Sequence, residues 1–248
     1  MTGRRMVWQA LSLALLLAAW QVAALAAPTA TLPPPGLVLA ALAKAAVQGD
    51  LLHHLTITLA RVAVSFALAL SVGSALGIAL GRVAVLDRLF DGWVVFFLNL
   101  PALVTAILCF VWFGLSEGAA LAAVALNKIP SVVVTLREGA RTLDPGYADM
   151  ARIYRLGRRK TLRHVVLPQL APYLMVAARS GLALIWKIVL VVELLGRSDG
   201  IGFKLHLFFQ GFDVTGILAY SLAFILVIQA IELGLLAPIE RKAAQWRD

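Results

Sequence analysis

Charged residues are scarce in this chain. Only 14% of its 248 residues are Asp, Glu, Lys or Arg, while 61% are hydrophobic. Soluble domains carry about 25% charged residues, so the composition excludes a soluble domain and indicates a membrane protein. The net charge of +9 would suit a nucleic-acid partner, but its meaning depends on where the basic residues lie.

Residues suited to catalysis or metal binding are also few. Cys109 is the one cysteine, which excludes a disulfide within the chain. The four histidines lack metal-ligand spacing, and no catalytic constellation is present. No glycine loop of the GxxxxGK[ST] type occurs, so we expect no ATP hydrolysis by this chain, no metal site and no cofactor of its own.

Long hydrophobic runs predict six membrane-spanning helices, because about 20 apolar residues are needed to cross a bilayer. The first run exceeds the roughly 7–15 apolar residues of a signal-peptide core, so a retained span is favoured and a cleaved signal peptide is the alternative. The predicted spans are 7–27, 54–81, 93–115, 119–136, 169–195 and 214–237.

The segments between these runs predict shorter elements. Residues 28–36 contain four prolines and predict an extended external segment, and residues 37–47 predict a short amphipathic piece at the membrane interface. Residues 82–91 and 196–212 predict loops. Pro101 is expected to kink the third span, and residues 127–130 to interrupt the fourth. The Gly73-x-x-x-Gly77 spacing predicts close helix packing.

The basic residues fix the expected orientation. Positive charges concentrate in cytoplasmic loops, and the distribution here is fifteen on one side against three on the other. Both termini are therefore expected in the cytoplasm, and nucleic-acid binding loses its support. The fifteen are Arg4, Arg5, Arg82, Arg88, Arg137, Arg141, Arg152, Arg155, Arg158, Arg159, Lys160, Arg163, Arg241, Lys242 and Arg247; the three are Lys44, Arg197 and Lys204.

Residues 144–168 form the one long polar segment between predicted spans. Asp144 is a favourable helix N-cap and Pro145 fits the first helical position. Met150, Ile153 and Tyr154 then share one apolar face at spacings of three and four. The pattern predicts a short amphipathic helix on the cytoplasmic side. Two roles are open for this helix, docking to a partner protein and lying on lipid headgroups.

The segment resembles the cytoplasmic loop of binding-protein-dependent ABC importer permeases. That signature is Glu-Ala-Ala, a Gly four residues further on, and a closing hydrophobic-x-Leu-Pro. Counting back from Leu167 and Pro168 places the acidic position at Asp149, followed by Met150 and Ala151. The stretch 138–140, Glu-Gly-Ala, is closer in its letters but lies eleven residues too early.

One departure from the signature concerns the end of the helix. Arg155 occupies the expected glycine position, and the nearest glycine is Gly157. We therefore predict a helix that runs two residues longer than in relatives. The resemblance implies that this helix couples the chain to an ATPase, with Arg155 and Arg158 as candidate charge contacts.

Further matches extend the resemblance from about residue 55 to the C-terminus. They are Thr58-x-x-Arg61, Leu100-Pro101, Trp112-Phe113-Gly114, Trp186, Glu193, Gly200-Ile201-Gly202 and the ending from Glu240-Arg241 to Trp246. Together they are similar to the permeases of nitrate, sulfonate, taurine and bicarbonate importers. The family implies an all-α type I importer permease fold and a homodimer that lies in a bacterial inner membrane. Its implied partners are two ATPase subunits that bind ATP and a periplasmic or lipid-anchored substrate-binding protein.

Polar residues within predicted spans give candidates for a translocation path. Burying charge in a bilayer is costly, and such residues usually face an interior cavity. Arg179, Trp186 and Glu193 are seven residues apart and share a stripe of the fifth span, with Ser180 and Lys187 beside it. The other candidates are Asn99, Asn127 and Lys128. Arg61 and Glu193 lie near the predicted outer surface, where pairing for assembly is the alternative role.

The sequence thus predicts the permease subunit of an importer for a small anion. Its expected parts are an N-terminal span with an external segment at 1–54, a transmembrane domain at 55–238 with a coupling loop at 137–168, and a tail at 239–248. The alternatives are a permease for another small organic solute, a stand-alone carrier or channel, and a membrane scaffold.

Overall fold

The computed structural model describes residues 2–26 and 31–236, and within these ranges every regular element is a helix. The predicted all-α class is confirmed. The helices in chain order are α1 (Thr2–Ala26), α2 (Pro35–Gln48), α3 (Leu51–Arg82), α4 (Ala84–Leu98), α5 (Ala102–Phe113), α6 (Glu117–Arg141), α7 (Pro145–Ile153), α8 (Arg158–Thr161), α9 (Leu167–Gly196), α10 (Ile201–Gln210) and α11 (Val214–Ile231). A π-helical turn, Leu162–Val166, joins α8 to α9, and another, Glu232–Leu236, extends α11.

Four helical segments are long and apolar enough to cross a membrane: Leu51–Arg82, Glu117–Arg141, Arg159–Gly196 and Val214–Gly234. They correspond to the predicted second, fourth, fifth and sixth spans. The apolar part of α1, Ala10–Ala26, is shorter. The total of six spans stays a prediction, and the predicted tail at 239–248 lies outside the described residues.

The third predicted span is not one helix. Helices α4 and α5 meet at an angle of 97°. The cause is local, because Pro101 adopts an extended backbone (φ −60°, ψ 135°) that α4 cannot continue through. Asn127 of α6 donates from Nδ2 to the carbonyl of Leu100 at 3.2 Å, which satisfies one group freed by the break. The predicted loop at 82–91 is also wrong, since α4 begins at Ala84 and only Val83 separates it from α3.

The predicted interruption at 127–130 is wrong as well. Helix α6 is continuous from Glu117 to Arg141 with Pro130 inside it. Pro130 removes one backbone hydrogen bond, but Val132 and Val133 just beyond it are buried. Tertiary packing therefore keeps the helix intact.

Helices α3 and α6 pack with their backbones in close approach. A Cβ atom added at Gly77 would lie 2.7 Å from the carbonyl oxygen of Val133, and one at Gly81 would lie 2.6 Å from that of Arg137. A larger residue would push the helices apart. The packing role predicted for Gly73 and Gly77 is confirmed.

Ion pairs mark the two ends of this bundle. At the end where the polar segment 144–168 lies, Arg137 of α6 pairs with Asp87 of α4 at 3.2 Å. At the opposite end, Arg61 of α3 pairs with Glu117 at the start of α6 at 2.7 Å. Helices α3 and α6 therefore run parallel to each other and α4 runs antiparallel to both, and the end with Arg61 is the outer end if the loop 137–168 is cytoplasmic.

The remaining helices pack mainly near the end of the bundle that carries Arg61. Helix α2, which begins at Pro35 inside the predicted extended segment, packs on α11. Helix α10 occupies most of the predicted loop 196–212. Helix α1 touches α2, where Trp20 donates from Nε1 to the carbonyl of Pro33 at 3.1 Å.

Candidate functional site

The predicted amphipathic helix is present as α7. Its start is as the sequence indicates, since Asp144 Oδ1 accepts a hydrogen bond from the backbone N–H of Gly146 at 2.8 Å and Pro145 is the first helical residue. Asp144 is itself held by the side chain of Gln169, whose Oε1 accepts its N–H at 3.0 Å. The start of α7 is therefore tied to the start of α9.

The end of α7 differs from the prediction. The helix stops at Ile153, and Arg155 has a left-handed backbone with φ +50°. The N–H of Leu156 donates to the carbonyl of Ala151 at 2.9 Å, and that of Arg155 to Arg152 at 3.0 Å. This is the Schellman arrangement that usually has glycine at the left-handed position. The predicted extension to Gly157 is wrong because a non-glycine residue here adopts glycine's conformation.

Three apolar side chains are exposed on one side of α7 and at its C-terminal end. Ile153 is 79% exposed, Tyr154 73% and Met150 42%. These are the three residues that the periodicity placed together. Large apolar side chains this exposed at the end of the bundle where the basic loop lies form a surface suited to docking. We call Met150, Ile153 and Tyr154 the docking face.

The other residues predicted for coupling take different positions. Ala151 is buried and faces the chain itself, while Asp149 pairs with Arg152 at 3.1 Å on the exposed surface. Leu167 and Pro168 form the first turn of α9. Gly157 lies in the non-helical link between α7 and α8. The side chain of Arg158 lies outside the described part of the structure.

The alternative motif at 138–140 lies within the last turns of α6. A Cβ atom at Gly139 would lie 2.5 Å from the ring of Tyr173 on α9. The motif therefore sits at a tight helix contact rather than in the polar segment.

Helices α9 and α11 enclose a cleft of about 470 Å³. Three charged side chains and one tryptophan line it among other apolar ones, and three of these four are candidates from the sequence. They are Arg179, Trp186, Lys187 and Glu232. The cleft therefore brings two cations and one carboxylate of the predicted spans together.

The remaining path candidates lie elsewhere. Ser180 donates its hydroxyl to the carbonyl of Ala177 at 3.3 Å and does not line the cleft. Asn99 donates to the carbonyl of Val95 at 2.8 Å at the end of α4, and Asn127 holds the break before α5. Both asparagines thus satisfy backbone carbonyls.

Lys128 is buried near the middle of α6. Its side chain is 3% exposed, and its Cε lies 3.2 Å from the position of a Cβ at Gly181 on α9. No hydrogen bond or ion pair to the ammonium group of Lys128 occurs within the part of the chain that the structure describes. Such a group is costly in a bilayer interior.

Glu193 lies at the end of the bundle that carries Arg61 and does not line the cleft. Its carboxylate is fully buried and accepts from Arg61 Nη1 at 2.9 Å and from the hydroxyl of Thr58 at 2.9 Å. Arg61 also pairs with Glu117 and Asp199. This geometry favours the assembly role over the path role for Glu193. We call Arg61, Glu117, Glu193 and Asp199 the outer ion-pair cluster.

The Gly200-Ile201-Gly202 motif forms the seat of the buried carboxylate. The N–H of Gly202 donates to Glu193 Oε2 at 2.9 Å, and that of Ile201 to Thr58 Oγ1 at 2.8 Å. Gly200 has φ +101°, and a Cβ atom there would lie 2.3 Å from Glu193 Cδ. Glycine is therefore required by both backbone conformation and space.

A second polar group surrounds Asp50, which precedes α3. Its carboxylate accepts from Tyr220 at 2.5 Å and from Lys204 at 2.9 Å. Burial alone would raise the pKa of Asp50, but these two hydrogen bonds outweigh it and hold the pKa well below its usual value. At Asp199, burial likewise raises the pKa, and the hydrogen bond from Arg61 reverses the shift to a lowered pKa.

Several of these contacts escaped the sequence analysis. Glu117, Asp199 and Asp50 lie in or beside short polar links, where acidic residues are ordinary. Glu232 was visible as an ionisable residue within a span, yet nothing in the sequence joined it to Arg179. The one available signal was the cost of placing charge in a span.

Comparison with known proteins explains this architecture. Residues 73–236, more than half of the chain, match the family described as binding-protein-dependent transport system inner membrane component. The chain belongs to this family. It is a permease, an integral inner-membrane component of a transport system, and the sequence resemblance is confirmed.

Named relatives of the permease are transport proteins. SsuC of Escherichia coli, an aliphatic sulfonates transport permease protein by name, is 33% identical over 76% of this chain and 72% of its own length. The taurine transport system permease protein TauC of E. coli is 27% identical over 95% of this chain and 88% of its own. The bicarbonate transport system permease protein CmpB of Synechococcus elongatus is 28% identical over 59% of this chain and 53% of its own.

A solved structure shares the fold of the permease. It is an amino acid ABC transporter with histidines, which superposes with a TM-score of 0.57 over 77% of this chain and 93% of that one at 19% identity. The type I importer permease fold is thereby supported by shape as well as by sequence.

Proposed function

We propose that the permease forms the translocation path of an ATP-driven importer and moves a small oxyanion inward by alternating access. The observation that carries the proposal is the docking face on α7, which leaves large apolar side chains exposed beside the membrane domain. The described helices stabilise each other without these side chains. Their exposure is accounted for by a partner protein that covers them.

The partner that fits the docking face is an ATPase subunit. The chain contains no GxxxxGK[ST] loop, so energy for uphill transport comes from elsewhere. A short helix held at its N-terminal end by Asp144 and Gln169 is stiff enough to pass motion from such a subunit to α9. We propose two ATPase copies, one under each permease of a homodimer, and no cofactor bound by the permease itself.

The orientation of the permease follows from charge. The basic residues of the α7–α8 region support a cytoplasmic position for the docking face, and with six spans both termini would lie on the same side. The outer ion-pair cluster then faces the periplasm. A periplasmic or lipid-anchored binding protein would deliver the solute at that end.

The cleft between α9 and α11 is the proposed path. Arg179 and Lys187 supply two positive charges to a space of about 470 Å³, with Glu232 as the opposing charge. A small oxyanion fits that space and that charge. The names of the relatives point to sulfonates, taurine and bicarbonate, and nitrate belongs to the same chemical class.

A docking experiment tests the partner. Ile153→Glu and Tyr154→Glu place charge in the apolar contact, so we expect loss of ATPase co-purification and at least a tenfold fall in ATP-dependent uptake. Phe212→Glu is the matched control, since Phe212 is 84% exposed at the opposite end of the bundle. Ala151 is not used because it is buried, and Arg there would disturb α7 itself. Normal co-purification of both docking-face variants would refute the proposal.

A transport experiment tests the path. Lys187→Met and Arg179→Met keep an unbranched apolar stem and remove the charge, and we expect each to lower anion uptake about tenfold at equal protein level, the size of one lost charge-assisted hydrogen bond. Ser180→Ala is the control on the same helix, because Ser180 does not line the cleft. Unchanged uptake in both cation variants would exclude this cleft as the anion path.

A further inference from the structure

A second polar cavity lies at the cytoplasmic end, between the last residue of α3 and the turn that follows α7. Its volume is about 430 Å³, and it is lined by Arg82, Ala151, Arg152, Arg155, Leu156 and Thr161. We call it the arginine cavity. It is separate from the path cleft, with which it shares no lining residue.

The charge of the arginine cavity is of one sign. Three guanidinium groups contribute to its lining, and no carboxylate does among the described residues that line it. Arg152 has a partner outside the lining, Asp149 at 3.1 Å. For the guanidinium groups of Arg82 and Arg155 the described part of the chain offers neither a hydrogen bond nor an ion pair.

Other arginines at this end of the bundle are paired. Arg137 contacts both Asp87 and Asp91, and Arg141 contacts Asp87 and Glu138. Arg82, Arg152 and Arg155 are exposed, so solvent screens much of their mutual repulsion, and an anion between them would reduce it further. Among the described residues, the side chains of Arg82 and Arg155 therefore lack the carboxylate partners that Arg137 and Arg141 have.

The backbone of Arg155 strengthens this interpretation. A left-handed conformation costs a residue with a side chain about 1–2 kcal/mol relative to the right-handed region. Glycine would avoid that cost and would also remove one guanidinium from the cavity. Strain of this kind is retained where the side chain has a use.

We propose that the arginine cavity binds an oxyanion, a phosphate or sulfate group, between Arg82 of α3 and Arg155 at the end of α7. Guanidinium groups bind such anions through paired N–H donors in a fixed geometry. The source of the anion is the headgroup of an acidic lipid in the cytoplasmic leaflet or a free ion in the cytoplasm. The bound anion links the docking helix to α3 and so restrains the element that contacts the ATPase.

Thermal unfolding of the full-length chain tests the site. The purified protein, without its ATPase, is placed in phosphatidylcholine nanodiscs and titrated with sodium sulfate, with chloride adjusted to hold the ionic strength constant. At a sulfate concentration ten times the Kd we expect the Tm to rise by roughly 3–5 °C. Native mass spectrometry then counts phosphatidylglycerol molecules retained from mixed nanodiscs, which separates the lipid source from the free ion.

Arg82→Gln and Arg155→Gln should each abolish the sulfate-induced shift, the retained phosphatidylglycerol, or both. The control is Arg88→Gln, since Arg88 is exposed on α4 nearby but does not line the cavity. A shift and a lipid count that are equal in all three variants, or absent from the unmodified chain, would overturn the proposal. Because no ATPase or transport is involved, failure here leaves the proposed import function standing.

Discussion

The carboxylate of Glu193 and the guanidinium of Arg61 meet at 2.9 Å with almost no exposure of either side chain. Arg61 has three carboxylate partners, while Glu193 has Arg61 as its one cation among the described residues. The two partners are therefore unequal. Removing the arginine leaves a buried carboxylate without a cation, whereas removing the glutamate leaves an arginine that is still paired.

This asymmetry predicts different costs for the two substitutions. We expect Arg61→Met to lower stability by about 3–5 kcal/mol, as for a buried pair broken from one side. Glu193→Gln should cost clearly less, because Glu117 and Asp199 remain. Thermal unfolding of detergent-purified variants measures the order, and equal losses would contradict it. Arg88→Met is the control for removal of an exposed arginine.

The turn at Arg155 predicts opposite effects for two substitutions. Arg155→Gly should slow hydrogen exchange at the end of α7 by up to about fivefold, since the relief of left-handed strain is partly offset by the greater freedom of glycine in the unfolded chain and the net gain is up to about 1 kcal/mol. Arg155→Val should speed it, because a β-branched residue is poorly tolerated at positive φ. Exchange is measured in chloride buffer without sulfate or phosphate, so that anion binding does not contribute. Equal exchange in both variants would show that α7 does not end in this conformation.

Lys128 predicts a gain in stability on substitution. Lys128→Met removes a buried charge that has no partner in the described structure and keeps a similar volume, so we expect stability to rise by about 1–3 kcal/mol. Uptake measured on the same variant distinguishes two roles for the lysine. A drop in uptake together with higher stability assigns Lys128 to transport. Lower stability would mean that the ammonium group of Lys128 makes a stabilising interaction.

The group around Asp50 predicts a dependence on pH. The pKa of Asp50 is lowered in the folded chain, so its contribution is fully present above the unfolded pKa of about 4 and is lost as pH falls further. The Tm of the unmodified chain should therefore fall more steeply between about pH 4 and pH 2.5 than that of Asp50→Asn. Parallel curves would mean that Tyr220 and Lys204 do not stabilise the ionised carboxylate. Lys44→Gln serves as a control for loss of a nearby exposed charge.

Local features of this chain could be predicted from the sequence, and tertiary ones could not. Asp144 and Pro145 set the start of α7 through their own backbone preferences, so the prediction was confirmed there. The end of α7 depends on backbone carbonyls that accept hydrogen bonds only when Arg155 adopts a left-handed conformation. An arginine in the sequence does not indicate that conformation. Pro101 predicted a kink, but the angle of 97° also depends on a hydrogen bond from Asn127 on another helix.

The sites show the same division. Spacing alone placed Arg179, Trp186 and Lys187 near each other, because they belong to one helix. The outer ion-pair cluster joins Arg61 to Glu117 and Asp199, which are 56 and 138 positions further along the chain. Such pairings cannot be predicted from a single sequence. Its members could be named as unusual, but their partners could not.

The close approach of α3 and α6 limits how this permease can change shape. With glycine in α3 next to backbone oxygens of α6, the two helices are in close contact, and sliding one past the other would bring side chains against backbone. We expect them to move as one rigid pair that spans the bilayer. Opening toward either side of the membrane must then come from rotation of the other helices about this pair, so that a displacement produced at one membrane surface is felt at the other.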